Sequence, residues 1–501
     1  MGFISKAVLY TTKNNQLIKQ NIIWNFLGGT LPLLVGVIVF PLIIQQYGIE
    51  RFGLLAIAWS LVGYFGLFDM GLSRALTQMV SNKLSQNTQS EEVVTIIQTA
   101  LLVSWGLGIL GGVILWLVSD WLVVNILSVS KHIENETIQA FEILAIAIPF
   151  VVIASMLRGV MESLQLFKQA SVIRVFLGVC TFLGPYLVTF YGISLVYAVY
   201  ALLAIRVAAW LMHAYALNST ELMKNKIKAF KFNVLKPLFA FGGWMTVSNV
   251  IGPLMVYFDR FVIAYLLGVS AVAYYVAPYE IITKLWIIPA SIAGVLFPIF
   301  SRDWLTNSVG SVEVLIKGLL YVSIILFPII LLFASFASEG LRFWLGADFA
   351  TKSASIVGWF SAGIFVNSIG QILYAKLQGI GRPDLTAKLH IFESIPYWIV
   401  LYILIKKYGI EGAAIAWFLR VSVDTFLLAV LVTRLCSHSK RQVFRLLRFL
   451  PILLLPVIST IYITDLYSRI ILFLITILIF SYFAFKRMHE DGTFSYFKKG
   501  S

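Results

Sequence analysis

Tyr191-Gly192-Ile193 and Tyr408-Gly409-Ile410 are the same phrase written 217 residues apart (409 − 192), and each opens a hydrophobic stretch that carries one arginine, Arg206 and Arg420. Two further echoes fall near that spacing. Leu164-Gln165 recurs as Leu377-Gln378, an offset of 213, each time in a short polar link between apolar segments. Gly48 followed by Gly53 resembles Gly268 followed by Ala273, an offset of 220, each time in a tight turn entering a long apolar run. A near-constant offset in three places points to an ancient duplication of a unit a little over 200 residues long. In a chain this hydrophobic, a duplicated half is the signature of a transporter with its site between the halves.

Composition identifies the solvent. Hydrophobic residues make up 60% of the 501 and charged residues 12%, against roughly 25% charged in a soluble domain. Such a chain must face lipid. Apolar runs long enough to cross about 30 Å of hydrocarbon as helix recur from end to end, without the alternating pattern of a membrane barrel. Helices therefore satisfy the backbone.

The runs predict an all-α integral membrane protein with about fourteen transmembrane helices, over 21–45, 52–81, 94–118, 138–161, 169–190, 193–216, 236–265, 271–299, 314–336, 353–376, 384–406, 410–434, 447–464 and 468–485. With the repeat, they predict two pseudo-symmetric six-helix bundles, 1–216 and 236–435, joined by a basic linker, 217–235. Residues 436–501 add two extra helices and a tail. Pro32, Pro41, Pro185, Pro253, Pro289 and Pro396 fall inside expected helices, as kinks or as the broken helices that line transport paths.

Lysine and arginine placement predicts orientation. The N-terminal tail, the central loop, the loop after the twelfth span and the C-terminal tail carry seventeen between them, against seven on the opposite side. Both termini are expected in the cytoplasm. The net charge of +15 then reads as a topology signal, and no basic segment belongs to a foldable soluble module that would bind nucleic acid. No cleaved signal peptide is expected, because the first apolar run is too long and no small-residue cleavage site follows it.

Several chemistries find no motif. There is no Gly-x-x-x-x-Gly-Lys-Ser/Thr phosphate loop and no Gly-x-Ser-x-Gly elbow. His132, His213, His390, His438 and His489 are scattered without metal-ligand spacing. The loops are too short for an aqueous domain of the kind a polymerase or glycosyltransferase uses. A carrier rather than an enzyme is expected, with no cofactor and no metal.

Charges at membrane depth are the informative residues, since each costs several kcal/mol unless it meets a partner or a wet cavity. Arg158 with Glu162, Glu280 with Lys284, and Arg420 with Asp424 are spaced i, i+4, which fits mutual neutralisation on one helix face as well as the lining of a cavity. Arg206 lies thirteen residues into its span and Arg420 ten into the equivalent one. The difference of three is nearly a helical turn, so the two can point the same way. Arg74, Arg174, Arg260 and Lys284 add positive charge. A basic cavity implies an anionic substrate, and the planar guanidinium fork suits phosphate. The competing role for these arginines is salt bridging with Asp69, Glu142, Asp259 and Glu393. Buried acids can also carry protons. Asp69, Asp259, His390, Glu393 and Asp424 are the candidates for ion coupling, His390 and Glu393 lying three residues apart on one helix.

With these residues laid out, a family resemblance emerges. Gly48-Ile49-Glu50-Arg51-Phe52-Gly53, then Leu67-Phe68-Asp69-Met70-Gly71-Leu72-Ser73-Arg74-Ala75, resembles the opening of bacterial polysaccharide flippases of the Wzx type, in the multidrug/oligosaccharidyl-lipid/polysaccharide superfamily. Tyr257-Phe258-Asp259-Arg260-Phe261 with Gly268-Val269-Ser270-Ala271-Val272-Ala273-Tyr274 resembles the matching turn of their second half, and Gln378-Gly379-Ile380-Gly381-Arg382-Pro383-Asp384 with Tyr408-Gly409-Ile410-Glu411-Gly412-Ala413-Ala414 their later segments. The likeness covers roughly residues 15–435. It implies alternating access by two six-helix bundles, and a substrate of undecaprenyl-diphosphate-linked oligosaccharide moved across the bacterial plasma membrane for O-antigen, capsule or exopolysaccharide synthesis. A polysaccharide polymerase and chain-length machinery are the implied partners, beside membrane lipids. Trp244, Tyr257, Tyr274, Tyr275 and Tyr279 could then stack on sugars, although interfacial anchoring is the commoner use of such residues. Two readings compete: a cation or drug antiporter of the related MATE type, which would favour a cavity dominated by carboxylates, and a lipid II flippase, whose relatives share the fourteen spans.

Overall fold

The computed structural model describes the backbone of residues 2–66, 72–86, 90–220, 230–234, 251–252, 254–306, 308–436 and 440–490, and their side chains from Thr30 on, apart from 74, 75, 85, 90, 234, 302–309, 311 and 487–490. These residues are helical almost throughout, and no strand occurs among them. The helices are α1 (Gly2–Phe65), α2 (Leu72–Ser85), α3 (Ser90–Asn125), α4 (Glu134–Ser163), α5 (Phe167–Leu187), α6 (Leu195–Asn218), α7 (Asp259–Leu267), α8 (Val269–Ile282), α9 (Ile287–Thr306), α10 (Ser308–Ser335), α11 (Ala337–Leu345), α12 (Ala347–Gly379), α13 (Pro383–Leu435), α14 (Lys440–Leu447), α15 (Leu450–Tyr462) and α16 (Leu466–Glu490).

Eleven of the described helical stretches are long and apolar enough to cross a membrane. Two of them contain a glycine turn. α1 turns at Gly48 (φ 77°, ψ 169°) and α13 at Gly409 (φ 62°, ψ −142°). Gly268, between α7 and α8, repeats the first of these almost angle for angle (φ 84°, ψ 161°). That region of backbone space is open essentially to glycine alone, so the Gly48/Gly268 echo is one turn used twice.

The link between α4 and α5 also recurs between α12 and α13, in hydrogen bonds rather than in residues. The amides of Leu164, Gln165 and Leu166 donate to the carbonyls of Val160, Glu162 and Met161. Those of Ile380, Gly381 and Arg382 donate to Lys376, Gln378 and Leu377, every partner shifted by 216. Gln165 (φ 60°) and Gly381 (φ 76°) are the matching left-handed residues. The register therefore differs by three from the Leu-Gln echo at 213: the fold aligns the residue that closes the helix, not the residues that look alike.

The chain divides into two compact units, Met1–Ala273 and Tyr274–Ser501. In the first, α4 is the central helix, with 67% of its apolar window buried against 28% or less for the other spans of the unit. Glycines allow α3 to lie directly on it. A Cβ at Gly108 would sit 2.7 Å from Pro149 Cα, and one at Gly112 2.6 Å from the Ala145 carbonyl; small residues are what lets helices approach this closely in lipid. Leu72, Leu76 and Val80, spaced i, i+4, i+8, carry α2 into the same core against Ile153, Met156 and Val160.

In the second unit α12 is central, 89% buried over its window. Gly363 receives the Trp417 ring (2.3 Å from a built Cβ to Cζ3) and Gly370 receives Thr425. Tyr275, Tyr279, Phe360 and Trp417 pack edge to face beside it. The last two helices dock on this unit. Ile461 of α15 fills the space over Gly358, and Phe480 of α16 lies 4.5 Å from the Phe327 ring. Arg469 of α16 holds Glu339 of α11 through two hydrogen bonds of 2.9 and 2.7 Å and donates a third to the Ser335 carbonyl at 2.7 Å.

Three expected spans are interrupted. The helix expected over 52–81 stops at Phe65, and the next described helix begins at Leu72. The span 169–190 ends in a 3-10 turn, Val188–Phe190. The span 271–299 is broken by a 3-10 turn at Thr283–Trp286. Pro289 explains the last, since it has no amide to give the Leu285 carbonyl and its ring would clash there. Of the expected span 236–265 and the 217–235 linker, most lies outside the described residues.

The Arg469 guanidinium holds the Glu339 carboxyl below its ordinary value of 4.5. Its contribution to stability is therefore present above about pH 4.5 and lost as pH falls through the lowered value. Thermal denaturation of detergent-solubilised protein should show wild type above Glu339→Gln at pH 7, with the gap closing as pH falls below the ordinary value of 4.5. A gap independent of pH would remove the ion pair from the account of how α16 is held.

Candidate functional site

α13 is a helical hairpin. After the break at Gly409, residues equidistant from the turn come to one level. Tyr397 lies twelve residues before Gly409 and Arg420 eleven after, and the guanidinium sits over the Tyr397 ring, 5.5 Å from its centroid. Glu393 and Asp424 are sixteen before and fifteen after. At 1.5 Å per residue this second rung is about 23 Å along the helices from the turn. His390, one turn from Glu393, completes it, with Nε2 4.0 Å from Glu393 Oε1 and 3.9 Å from Asp424 Oδ1. Tyr374 of α12 stacks on the imidazole, the rings 6.3 Å apart and within 4° of parallel.

The three side chains offer one imidazole and two carboxylates, with ligand atoms within 4.8 Å of one another. Both Glu393 oxygens and Asp424 Oδ1 are buried with no hydrogen-bond partner among the described residues. A carboxylate left so in hydrocarbon is costly, roughly 2.5–3.5 kcal/mol on insertion scales, unless a proton or cation offsets its charge. The cluster can exchange protons or hold a small cation.

The first unit builds the matching rung from α5 and α6. Ser194 caps α6 by accepting from the Val196 amide, and Arg206 then reaches back to α5, Nη2 donating to Thr181 Oγ1 at 3.3 Å. Thr181 and Tyr397 are 216 apart, the register of the α4–α5 and α12–α13 links, so both arginines address the same position of the preceding helix. Arg206 Nε is buried without a hydrogen-bond partner among the described residues.

The other sequence-predicted residues fall in separate places. Arg174 lies 3.8 Å from Glu162, which also faces Arg158 at 3.7 Å, so one carboxylate serves two guanidiniums. Lys284 is paired with Glu280 at 3.1 Å, as the i, i+4 spacing allows. Arg260 and Asp259 are buried at the start of α7. Arg260 donates to Ser60 Oγ at 2.6 Å and lies over the Tyr257 ring. Asp69, Trp244 and the Arg74 side chain lie outside the described residues. Tyr274, Tyr275 and Tyr279 are buried in the second unit, against Phe349, Phe360 and Trp417, and offer no exposed ring face for a sugar. Sequence reading missed Thr181, Tyr374 and Tyr397. The first and last were reachable by carrying the 216 offset through the arginine-bearing hairpins. It also missed Lys376, which is fully buried on α12 with Nζ 4.8 Å from the Phe300 ring centroid.

Comparison with known proteins places this geometry in a family. The family described as "Polysaccharide biosynthesis protein" matches residues 18–304. A Shigella flexneri protein provisionally named an O-antigen transporter is 34% identical over 427 residues, covering 83% of this chain and 98% of its own. A Haloferax volcanii protein provisionally named a low-salt glycan biosynthesis flippase is 24% identical over 49% of this chain and 50% of its own. Among solved structures, the lipid II flippase MurJ in an inward closed conformation superposes with a TM-score of 0.71 at 15% identity, over 94% of this chain and 99% of MurJ. An inward-facing MATE transporter of the MOP superfamily gives 0.71 at 15%, over 83% and 99%. A family match over more than half the chain, with the near full-length Shigella relative, makes this multi-pass membrane protein a member of the polysaccharide biosynthesis protein family, built on the fold of the multidrug/oligosaccharidyl-lipid/polysaccharide superfamily.

Proposed function

We propose that the protein flips undecaprenyl-diphosphate-linked oligosaccharide repeat units across the bacterial plasma membrane by alternating access, feeding synthesis of a surface polysaccharide. The observation that carries the reading is the pair of arginines, Arg206 and Arg420, each presented at the corresponding rung of a duplicated hairpin. Two guanidiniums are matched in charge and fork geometry to a diphosphate. The relatives named for O-antigen and glycan transport support that substrate class. In the same reading, residues 1–216 and 236–435 form the two six-helix bundles and both termini are cytoplasmic. A polymerase and its chain-length machinery receive the product. The protein acts as a carrier, and the chemistry of polymer growth belongs to those partners.

The remaining basic candidates, Arg74, Arg174, Arg260 and Lys284, have smaller parts. Arg174, Arg260 and Lys284 are engaged by Glu162, Ser60 and Glu280, so in this reading they guide the anion only when those contacts open. His390, Glu393 and Asp424 couple the cycle to a cation, with Asp69 and Asp259 as secondary candidates. The buried acids are also the one observation that favours a MATE-type cation antiporter. Under that reading the carboxylates bind the exported cation and the arginines merely pack.

In a deletion strain of the host, wild-type chain should restore polymer and clear single repeat units trapped on the inner leaflet. Arg206→Ala or Arg420→Ala should lower restoration by at least about tenfold, the weight of one lost charge-assisted contact, while membrane insertion stays normal. Arg→Lys should recover part of it. Full activity in both alanine variants would overturn the diphosphate assignment, and a normal deletion strain with altered drug sensitivity would favour the antiporter.

Coupling is read separately in proteoliposomes under an imposed proton or sodium gradient. Wild-type transport should respond to one gradient, and Glu393→Gln and Asp424→Asn should transport without responding. A gradient response that survives both substitutions would leave the cluster a packing feature.

A further inference from the structure

From Thr425 to Thr464 the chain has no acidic residue, yet it carries Arg434, Lys440, Arg441, Arg445 and Arg448. The structure arranges them. α14 turns Val443 wholly inward and rests Phe444 near the Phe426 ring of α13, 6.4 Å between centroids. With that apolar face committed, Arg441, Arg445 and Arg448, spaced i, i+4 and i+7, line up on one side of the helix. Arg448 stays in helical register through its amide bond to the Phe444 carbonyl, 3.0 Å. All three are exposed, and no carboxylate pairs with them among the described residues.

The stripe is also at a defined depth. Immediately beyond Arg448 come exposed Phe449 and the apolar helix α15, Leu450–Tyr462. The stretch long and apolar enough to cross is Lys440–Tyr462, so three guanidiniums within its first nine residues, next to an aromatic residue, lie at the end of a span, where lipid phosphates are found. A guanidinium prefers a bidentate oxyanion to a solvated chloride, and a row spanning two turns, about 10 Å, can engage adjacent headgroups.

We infer that Arg441, Arg445 and Arg448 form a docking surface for the phosphate headgroups of anionic phospholipid, anchoring α14 and the start of α15 at the membrane surface. The surface is separate from the transport residues and does not depend on the substrate proposed above. The occupant is lipid rather than an acidic protein segment because the stripe sits at the mouth of a membrane span, with apolar side chains on both flanks of the charged row.

The test uses full-length protein in detergent, titrated with phosphatidylglycerol or phosphatidylcholine and read by native mass spectrometry. Wild type should retain phosphatidylglycerol over phosphatidylcholine, and retention should weaken as salt rises. Substituting Arg441→Gln, Arg445→Gln and Arg448→Gln together should cut phosphatidylglycerol retention about tenfold or more and leave phosphatidylcholine unchanged. The corresponding Arg→Lys triple should lose less, since the charge remains. Equal retention of the two lipids by wild type, or undiminished phosphatidylglycerol on the glutamine triple, overturns the proposal. If the glutamine triple fails to fold, the lysine triple and the wild-type salt titration decide it: a salt-independent preference with no loss in the lysine triple counts against the stripe.

Discussion

In hydrocarbon a backbone amide has no water to turn to, and every break in a helix must close its own hydrogen bonds. The shape of this chain follows from where such breaks are tolerable. At the α4–α5 and α12–α13 links, three amides at each helix end turn back on carbonyls of the preceding turn in the same order. At Gly48 and Gly268 the backbone breaks through angles open essentially to glycine alone. Everything between these points is free to be long, apolar helix. Once the breaks are duplicated, the depth at which each side chain arrives is duplicated with them.

Counting from a break therefore predicts contact better than likeness of residues does. Twelve before and eleven after Gly409 gives the Tyr397–Arg420 rung, and sixteen before and fifteen after gives the level of Glu393 and Asp424. The lipid-facing nature of the chain, its long helices, the glycine turns and the arginine pair were all legible in the sequence, because each rests on local chemistry: hydropathy over twenty residues, a residue type at a turn, a charge inside an apolar run. The acid cluster was legible only as separate candidates. His390 and Glu393 announce themselves by spacing, whereas Asp424 joins them through the hairpin, and Tyr374 arrives from another helix.

The misreadings have physical causes as well. Leu164-Gln165 and Leu377-Gln378 look alike, but a backbone in the left-handed region, not a side chain, ends the helix, and that residue is Gln165 in one repeat and Gly381 in the other. Pro289 was expected as a kink or a break within 271–299, and the lost donor acts one turn earlier, where the 3-10 turn Thr283–Trp286 holds the Leu285 carbonyl. The tyrosines of α8 were offered either to sugars or, more commonly for such residues, to interfacial anchoring, on chemistry alone. A helix apolar all round gives no sign of which face is inside, and these rings were turned inward by Phe360 and Trp417.

The duplication also isolates what has diverged. Position 181 and its counterpart 397 both meet an arginine, but one is a threonine that accepts a hydrogen bond and the other a tyrosine that offers a ring. Thr181 Oγ1 accepts one hydrogen bond from the edge of its guanidinium, while the Tyr397 ring meets the face of the other. Below this rung, the hairpin of the second unit adds two acids and an imidazole. An arginine meets the corresponding position of the preceding helix in both repeats, and only the second hairpin, among the described residues, adds an ionisable cluster about one helical turn further along. The arginine is what the repeat keeps in common. Asp424 lies one helical turn from Arg420, so under the proposed function gain or loss of one small cation at the cluster would change the field at the arginine and with it the hold on an anion.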